Sequence, residues 1–142
     1  GRTTTMNRMK TLCHVLTVLA MLSTTSALAA HHENIQPVAK PGQVIVTYRG
    51  NCPSEAIDEA IARIQETIAY ERNNSPILYT SSPGVWTDGK IGAVDLHESE
   101  AAMQKAFAWQ AADKKWSSMY ADIASICGLN VEDFEVNSLV AR

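Results

Sequence analysis

The chain has 142 residues and a formal net charge of −3. An N-terminal segment ending at Ala29 holds three of its basic residues and none of its acidic ones, so the rest carries nine basic against fifteen acidic, a net of −6. That balance argues against nucleic acid or an anionic membrane as partner, since both need a basic surface. The 113 residues after Ala29 suffice for one modest domain with a single core.

Residues 1–29 read as a secretory signal peptide preceded by extra N-terminal residues, GRTTT before Met6. A basic start (Arg8, Lys10), an apolar run from Leu12 to Leu22 and a small-residue tail ending Ala27-Leu28-Ala29 make the three-part export pattern. The apolar run is about half the length needed to cross a bilayer. No membrane association is expected after cleavage, and the expected location is periplasmic or secreted. Of the three cysteines, Cys13 leaves with the signal. Two cysteines in an exported chain, Cys52 and Cys127, suggest one disulfide, with free thiols or an interchain bridge as the alternatives.

Residues 30–42, AHHENIQPVAKPG, are polar and aperiodic and read as a flexible lead-in. Cleavage after Ala29 would place His31 and His32 at positions two and three. A free amine, two backbone amides and the His32 imidazole form a square-planar set suited to Cu(II) or Ni(II). Apart from this minor candidate no metal is expected.

The domain proper spans residues 43–142. QVIVTYRG predicts a strand with Val44, Val46 and Tyr48 on one side. NCPSEAIDEAIARIQETIAYERNNS predicts a helix whose buried stripe is Ile57, Ile61, Ile64 and Ile68, opened by Pro53 and stopped at Asn73-Asn74-Ser75-Pro76. ILYTSSPGVWTDGKIGAVDLHES predicts two strands around a two-residue Asp88-Gly89 turn, with Ser82-Pro83-Gly84 bending or bulging an edge strand. Ser99 caps a long helical region that Gly128 ends after Cys127. VEDFEVNSLVA predicts a last strand with Phe134, Val136, Ser138 and Val140 on one side.

The order strand, helix, strand, strand, helix, strand is the ferredoxin-like βαββαβ arrangement, an α+β fold with four antiparallel strands and both helices on one face. Followed through that topology, Cys52 and Cys127 come to the same end of the molecule, which favours the intrachain disulfide. Ser99 to Cys127 is too long for one straight helix: about 43 Å at 1.5 Å per residue, against about 23 Å for a seven-residue strand. The apolar stripe also changes phase, so the second helix is expected to be long and broken near Gln110–Asp113.

This pattern, with DLHESEAAMQKA (Asp95–Ala106) after the hairpin, resembles the dimeric α+β barrel superfamily and its antibiotic-biosynthesis-monooxygenase-like proteins. The resemblance covers roughly Gln43 to Ala141 and rests on loose motifs. It implies a homodimer formed by pairing open sheet faces, with a pocket between the sheet and helices of each subunit. The residues agree with pairing, because Ile45, Thr47, Leu139 and Ala141 make the uncovered sheet face partly apolar. The resemblance further implies cofactor-independent oxidation of aromatic substrates, or haem degradation. Members with either activity often carry a histidine early in the second helix, where this chain has about Ala106 and no histidine along the helix.

The candidate site residues follow. Asp113, flanked by Trp109 and Trp116, is either a buried acid or, as preferred, a solvent-facing residue at the bend. His97, with Asp113 one of two weak catalytic candidates, sits just before the helix and could point toward the pocket mouth, although a lone histidine beside a cap is ordinarily at the surface. Trp116 and Tyr120 read as core or pocket wall, Trp109 as a further pocket residue, Trp86 as pocket mouth or dimer contact, and Tyr79 and Arg49 as polar pocket residues, Arg49 able to hold a ligand carboxylate. Adjacent acids such as Asp58 and Glu59, or Glu132 and Asp133, read as solvated charges, and no motif of hydrolases, phosphate loops or zinc enzymes is present. The sequence therefore predicts an exported protein that binds a small apolar or aromatic molecule, with no cofactor and no catalytic set identifiable. The alternative is a cofactor-independent monooxygenase acting on a small aromatic substrate.

Overall fold

A computed structural model describes residues 35–142. The segment 1–29 read as a signal peptide, His31 and His32 lie outside the described residues. The elements are β1 (Val44–Gly50), α1 (Ile57–Asn74), β2 (Tyr79–Val85), β3 (Ile91–His97), α2 (Glu100–Ala112), α3 (Lys114–Ile126) and β4 (Glu135–Val140), with short 3-10 turns at Ser54–Ala56 and Val131–Asp133. All neighbouring strands pair antiparallel in the order β2-β3-β1-β4, which is the ferredoxin-like sheet.

Period-two alternation decides which side chains meet the helices. On β1 and β3 the inward positions are Val44, Val46 and Tyr48, and Ile91, Ala93, Asp95 and His97. From α1 the core receives Ala60, Ile64 and Ile68, with Ile57 and Ile61 partly buried beside them. From α3 it receives Ile123, Ala124 and Cys127, and Phe134 closes one end. The turn Lys40–Gln43 is fixed to the sheet, with Gly42 N–H donating to the Ala141 carbonyl at 2.9 Å.

Asp113 separates α2 from α3. Its backbone is extended (φ −83°, ψ 108°), its N–H completes α2 by donating to the Trp109 carbonyl, and its carboxylate accepts from Trp116 N–H at 2.8 Å to cap α3. Each 13-residue helix is then about 20 Å long, commensurate with a seven-residue strand. Ser99 caps α2 by accepting from Ala102 N–H. At the other end, Gly128 (φ +70°) ends α3, and Leu129 N–H returns to the Ala124 carbonyl.

The hairpin differs from its expected form in one respect. Val85 and Ile91 are the last ladder pair, Trp86 N–H donates to Lys90, and Gly89 (φ +89°) donates to the Trp86 carbonyl. This is a three-residue loop, in which Gly89 takes the left-handed position after an ordinary turn, not a two-residue turn. Pro83 sits on an edge strand, as β2 is, but opposite Ala93 in an unbroken register with no bulge. A proline costs the ladder nothing where its nitrogen faces outward.

Cys52 and Cys127 form a disulfide across the end of the two antiparallel helical layers, with Cα atoms 4.5 Å apart and 75 positions between them in sequence. The helix-free sheet face carries Val94 and Leu139, 38% and 59% exposed. On that same face Trp86 lies across Gly92, its Nε1 donating to the Tyr48 carbonyl at 3.0 Å. A Cβ at Gly92 would stand 1.7 Å from that carbonyl oxygen, so only glycine fits against the β1 backbone beneath the indole.

Candidate functional site

The site grows from acids in positions whose phase is apolar. Glu71 lies three residues past Ile68 and seven past Ile64, which puts it on the buried stripe of α1. Asp95 follows Ile91 and Ala93 on the inward side of β3, where it is 3% exposed, and Ser81 is its cross-strand partner on β2. The three therefore converge between sheet and helices.

Ser81 Oγ donates to Asp95 Oδ1 at 2.6 Å and lies 3.4 Å from Glu71 Oε2. Trp116 Nε1 donates to Glu71 Oε1 at 2.7 Å. Ser81 has a single proton, and the short contact assigns it to Asp95, so the longer one is a hydrogen bond when Glu71 carries the proton. Burial raises the Glu71 pKa to about 7; the Trp116 hydrogen bond opposes the shift, and the nearby Asp95 charge adds to it. The three side chains form one hydrogen-bonded chain, Glu71–Ser81–Asp95, between helix and sheet.

His97 ends the row. It is wholly buried, stacked on Tyr79 (centroids 4.8 Å apart) and met edge-on by Phe107 at 5.9 Å. Neither ring nitrogen has a hydrogen-bond partner, and Nε2 stands 3.7 Å from Asp95 Oδ2. Gln110 Nε2 donates to the Tyr79 hydroxyl at 3.0 Å, which fixes the stacked ring.

Above the acids is a cavity of about 50 Å³ walled by Tyr48, Ile64, Ala93, Trp116, Tyr120 and Phe134, with Glu71, Ser81 and Asp95 on its polar side. Trp116 stacks on Tyr120 at 5.1 Å, and Tyr120 meets Phe134 at 5.3 Å. Burial, helped by the Asp95 charge, pushes the Tyr120 phenol up to about 12 and raises Tyr48 further. The Tyr48 hydroxyl is buried and has no hydrogen-bond partner. A second recess of about 270 Å³ lies against the same Ile68, Glu71 and Ser81 and is bounded by Arg72, Ile77, Leu78 and Tyr79. Glu71 and Ser81 thus face both spaces. Among the described residues no group of three His, Cys, Asp or Glu side chains is placed to hold a metal ion.

The sequence-predicted residues are only partly brought together. Trp116 and Tyr120 wall the cavity, and Tyr79 lines the recess. Trp109 instead stacks on Tyr70 at 6.4 Å on the far side of the bend. Trp86 and Arg49 lie on the opposite sheet face. There Arg49 covers the indole at 4.6 Å and pairs with Asp88 and Glu135, so the guanidinium does not face the cavity. Asp113 is half-buried at the bend, bonded to the Tyr70 hydroxyl at 3.1 Å and to Trp116 N–H, and does not line the cavity. His97 corrects the surface reading: strand phase, stronger than proximity to the cap, turns it inward. The residues missed were Glu71, Ser81 and Asp95. Their signal was present, as acids standing in apolar phase on α1 and β3.

No family model matches the chain, and no curated protein sequence matches it. Solved structures do share its fold, that of ferredoxin-like and antibiotic-biosynthesis-monooxygenase-like proteins. A conserved protein of Methanosarcina mazei Go1 matches with TM-score 0.54 at 7% identity, over 70% of this chain and 93% of its own. A candidate antibiotic biosynthesis monooxygenase of Caulobacter crescentus CB15 matches with TM-score 0.53 at 16% identity, over 79% of this chain and 98% of its own. A dimeric ferredoxin-like protein of unknown function from Jannaschia sp. CCS1 matches with TM-score 0.47 at 15% identity, over 69% and 98%. At such identities the likeness is one of fold alone. At Ala106, where the resemblance would have a histidine, the side chain is a fully buried methyl group.

Proposed function

We propose that this is an exported, homodimeric small-molecule-binding protein of the α+β barrel type, and that its ligand enters the space beneath α3. The observation that carries the reading is the cavity: aromatic and aliphatic walls around one polar side made by Glu71, Ser81 and Asp95. Binding sites commonly take this form, apolar surface with a few convergent polar groups. The size narrows the ligand. A cavity of about 150 Å³ holds benzene, so the 50 Å³ space admits a group of a few heavy atoms. An aromatic ring would need the larger recess or a shift of the Trp116–Tyr120 wall.

Thermal-shift titration with phenol, indole and small alcohols tests this. A saturable rise in melting temperature is expected, reduced in Ala93→Leu, which fills the cavity from β3. No rise with any compound, or an equal rise in the filled variant, would sink the reading. Export is supported by the N-terminal pattern and by the disulfide, which suits an oxidising compartment. Pairing through the open sheet face is supported by exposed Val94 and Leu139. Sedimentation is expected to give a dimer, and a Leu139→Lys monomer; a wild-type monomer at micromolar concentration would defeat it.

One observation favours the second reading, a cofactor-independent monooxygenase. Glu71 titrates near neutrality and faces the cavity, as a base taking a phenolic proton must. Oxygen uptake with small phenols, lost in Glu71→Gln, is the expected signature; no uptake across a phenol panel would leave the binding role.

A further inference from the structure

We infer that the cavity receives a small organic cation, the ammonium head of an amine, with Asp95 and Glu71 as acceptors and the rings of Tyr48, Trp116, Tyr120 and Phe134 as walls. The inference names the ligand class of the pocket proposed above and rests on that reading.

The donor count points there first. Six oxygen-bearing side chains line the same space, the acids Asp95 and Glu71 and the hydroxyls of Ser81, Thr67, Tyr48 and Tyr120; the Thr67 hydroxyl donates to the Arg63 carbonyl. Among the described residues the short hydrogen bonds to the acids are two, Ser81 Oγ to Asp95 and Trp116 Nε1 to Glu71, with the Tyr48 and Tyr79 hydroxyls beside Asp95 and Glu71. Among the described residues no lysine or arginine lines the cavity, and neither acid forms an ion pair with one. The nearest basic group is His97, fully buried and unpartnered at both nitrogens, with Nε2 aimed at Asp95 Oδ2 but 3.7 Å away. Buried charge is costly unless paired and hydrogen-bonded. An ammonium brings three donors and the missing charge, whereas an alcohol brings one donor and a carboxylate brings none.

The walls point the same way. Ammonium groups are attracted to the faces of tryptophan and tyrosine, most strongly where water is excluded. Here the stacked Trp116–Tyr120 pair and tilted Phe134 make one side of the space, and Tyr48 lines it as well. The 50 Å³ volume suits an ammonium with a short alkyl stem.

The groups facing Glu71 from each packed element are Tyr48 of β1, Tyr79 and Ser81 of β2, Asp95 of β3 and Trp116 of α3. None of these supplies a fixed positive charge, and Arg72, which borders the neighbouring recess, forms no ion pair with Glu71 among the described residues. A cation entering the cavity therefore favours ionised Glu71 and expels its proton, so amine affinity rises with pH up to about 7 and then levels off.

The test compares propylamine, 1-propanol and propionate by NMR titration of the full-length oxidised protein at several pH values. Propylamine is expected to bind about tenfold or more tighter than propanol, the range of a charge-assisted contact, and propionate not at all. Amine affinity should climb between pH 5.5 and 7.5 while propanol affinity stays flat. Glu71→Gln and Asp95→Asn should each weaken the amine about tenfold and leave propanol unchanged. Propanol binding as tightly as the amine overturns the cation inference and leaves the pocket standing. Failure of all three compounds removes both. Amine binding unaltered in both variants places it elsewhere and overturns the inference as well.

Discussion

Glu71→Gln should make the protein more stable at alkaline pH, although it alters a buried hydrogen-bonded acid. Glu71 is 7% exposed, and its pKa moves from 4.5 to about 7 on folding. Between those values the folded state holds a proton that the unfolded state has released. Stability from this group is therefore complete below pH 4.5, declines as pH rises to about 7, and stays reduced above. Each pH unit of the gap is worth about 1.4 kcal/mol, so the whole shift amounts to about 3 kcal/mol. Glutamine keeps the neutral form's bonds: its oxygen accepts from Trp116 Nε1, and its amide donates to Ser81 Oγ. Urea unfolding of both proteins from pH 4.5 to 8.5 measures the difference. The stability of the variant relative to wild type should climb by about 3 kcal/mol across the range, nearly all of it below pH 7.5. Parallel profiles would refute the account, because they would mean that Glu71 ionises in the fold as it does in water. A climb of opposite sign would mean that an unrecognised positive charge faces it.

Two other consequences are open to measurement. Reducing the Cys52–Cys127 bridge frees a loop of 75 residues and should lower stability by roughly 4 kcal/mol on the chain-entropy account, seen as a fall in urea midpoint with reductant; an unchanged midpoint would refute it. Asp113→Ala removes the α3 cap and the Tyr70 contact and should cost about 1–2 kcal/mol in unfolding free energy, while Asp113→Asn recovers most of the cap.

The opposite fates of Asp113 and Glu71 mark what a single sequence can resolve about the site. Asp113 attracted notice because tryptophans flank it, yet nearness in sequence put those rings in different surroundings: Trp109 on Tyr70, Trp116 over Glu71. Glu71 and Asp95 are separated by 24 positions, and nothing in the residues around either points to the other. They meet because α1 and β3 pack face to face, and each sits in the apolar phase of its own element. An acid in that phase was the legible warning. Its partner was not, since nothing local says which helical turn faces which strand residue.

The sequence by itself determined the order of elements, the antiparallel sheet, the edge position of β2 and the end of the molecule at which the cysteines meet. These follow from local periodicity, turn residues and the few ways a βαββαβ chain can close. Only the tertiary structure decided that His97 is buried, that Trp86 and Arg49 serve the open sheet face, and that Glu71, Ser81 and Asp95 meet under an aromatic wall. Those are properties of register and of packing between distant elements, where one residue's environment depends on all the others.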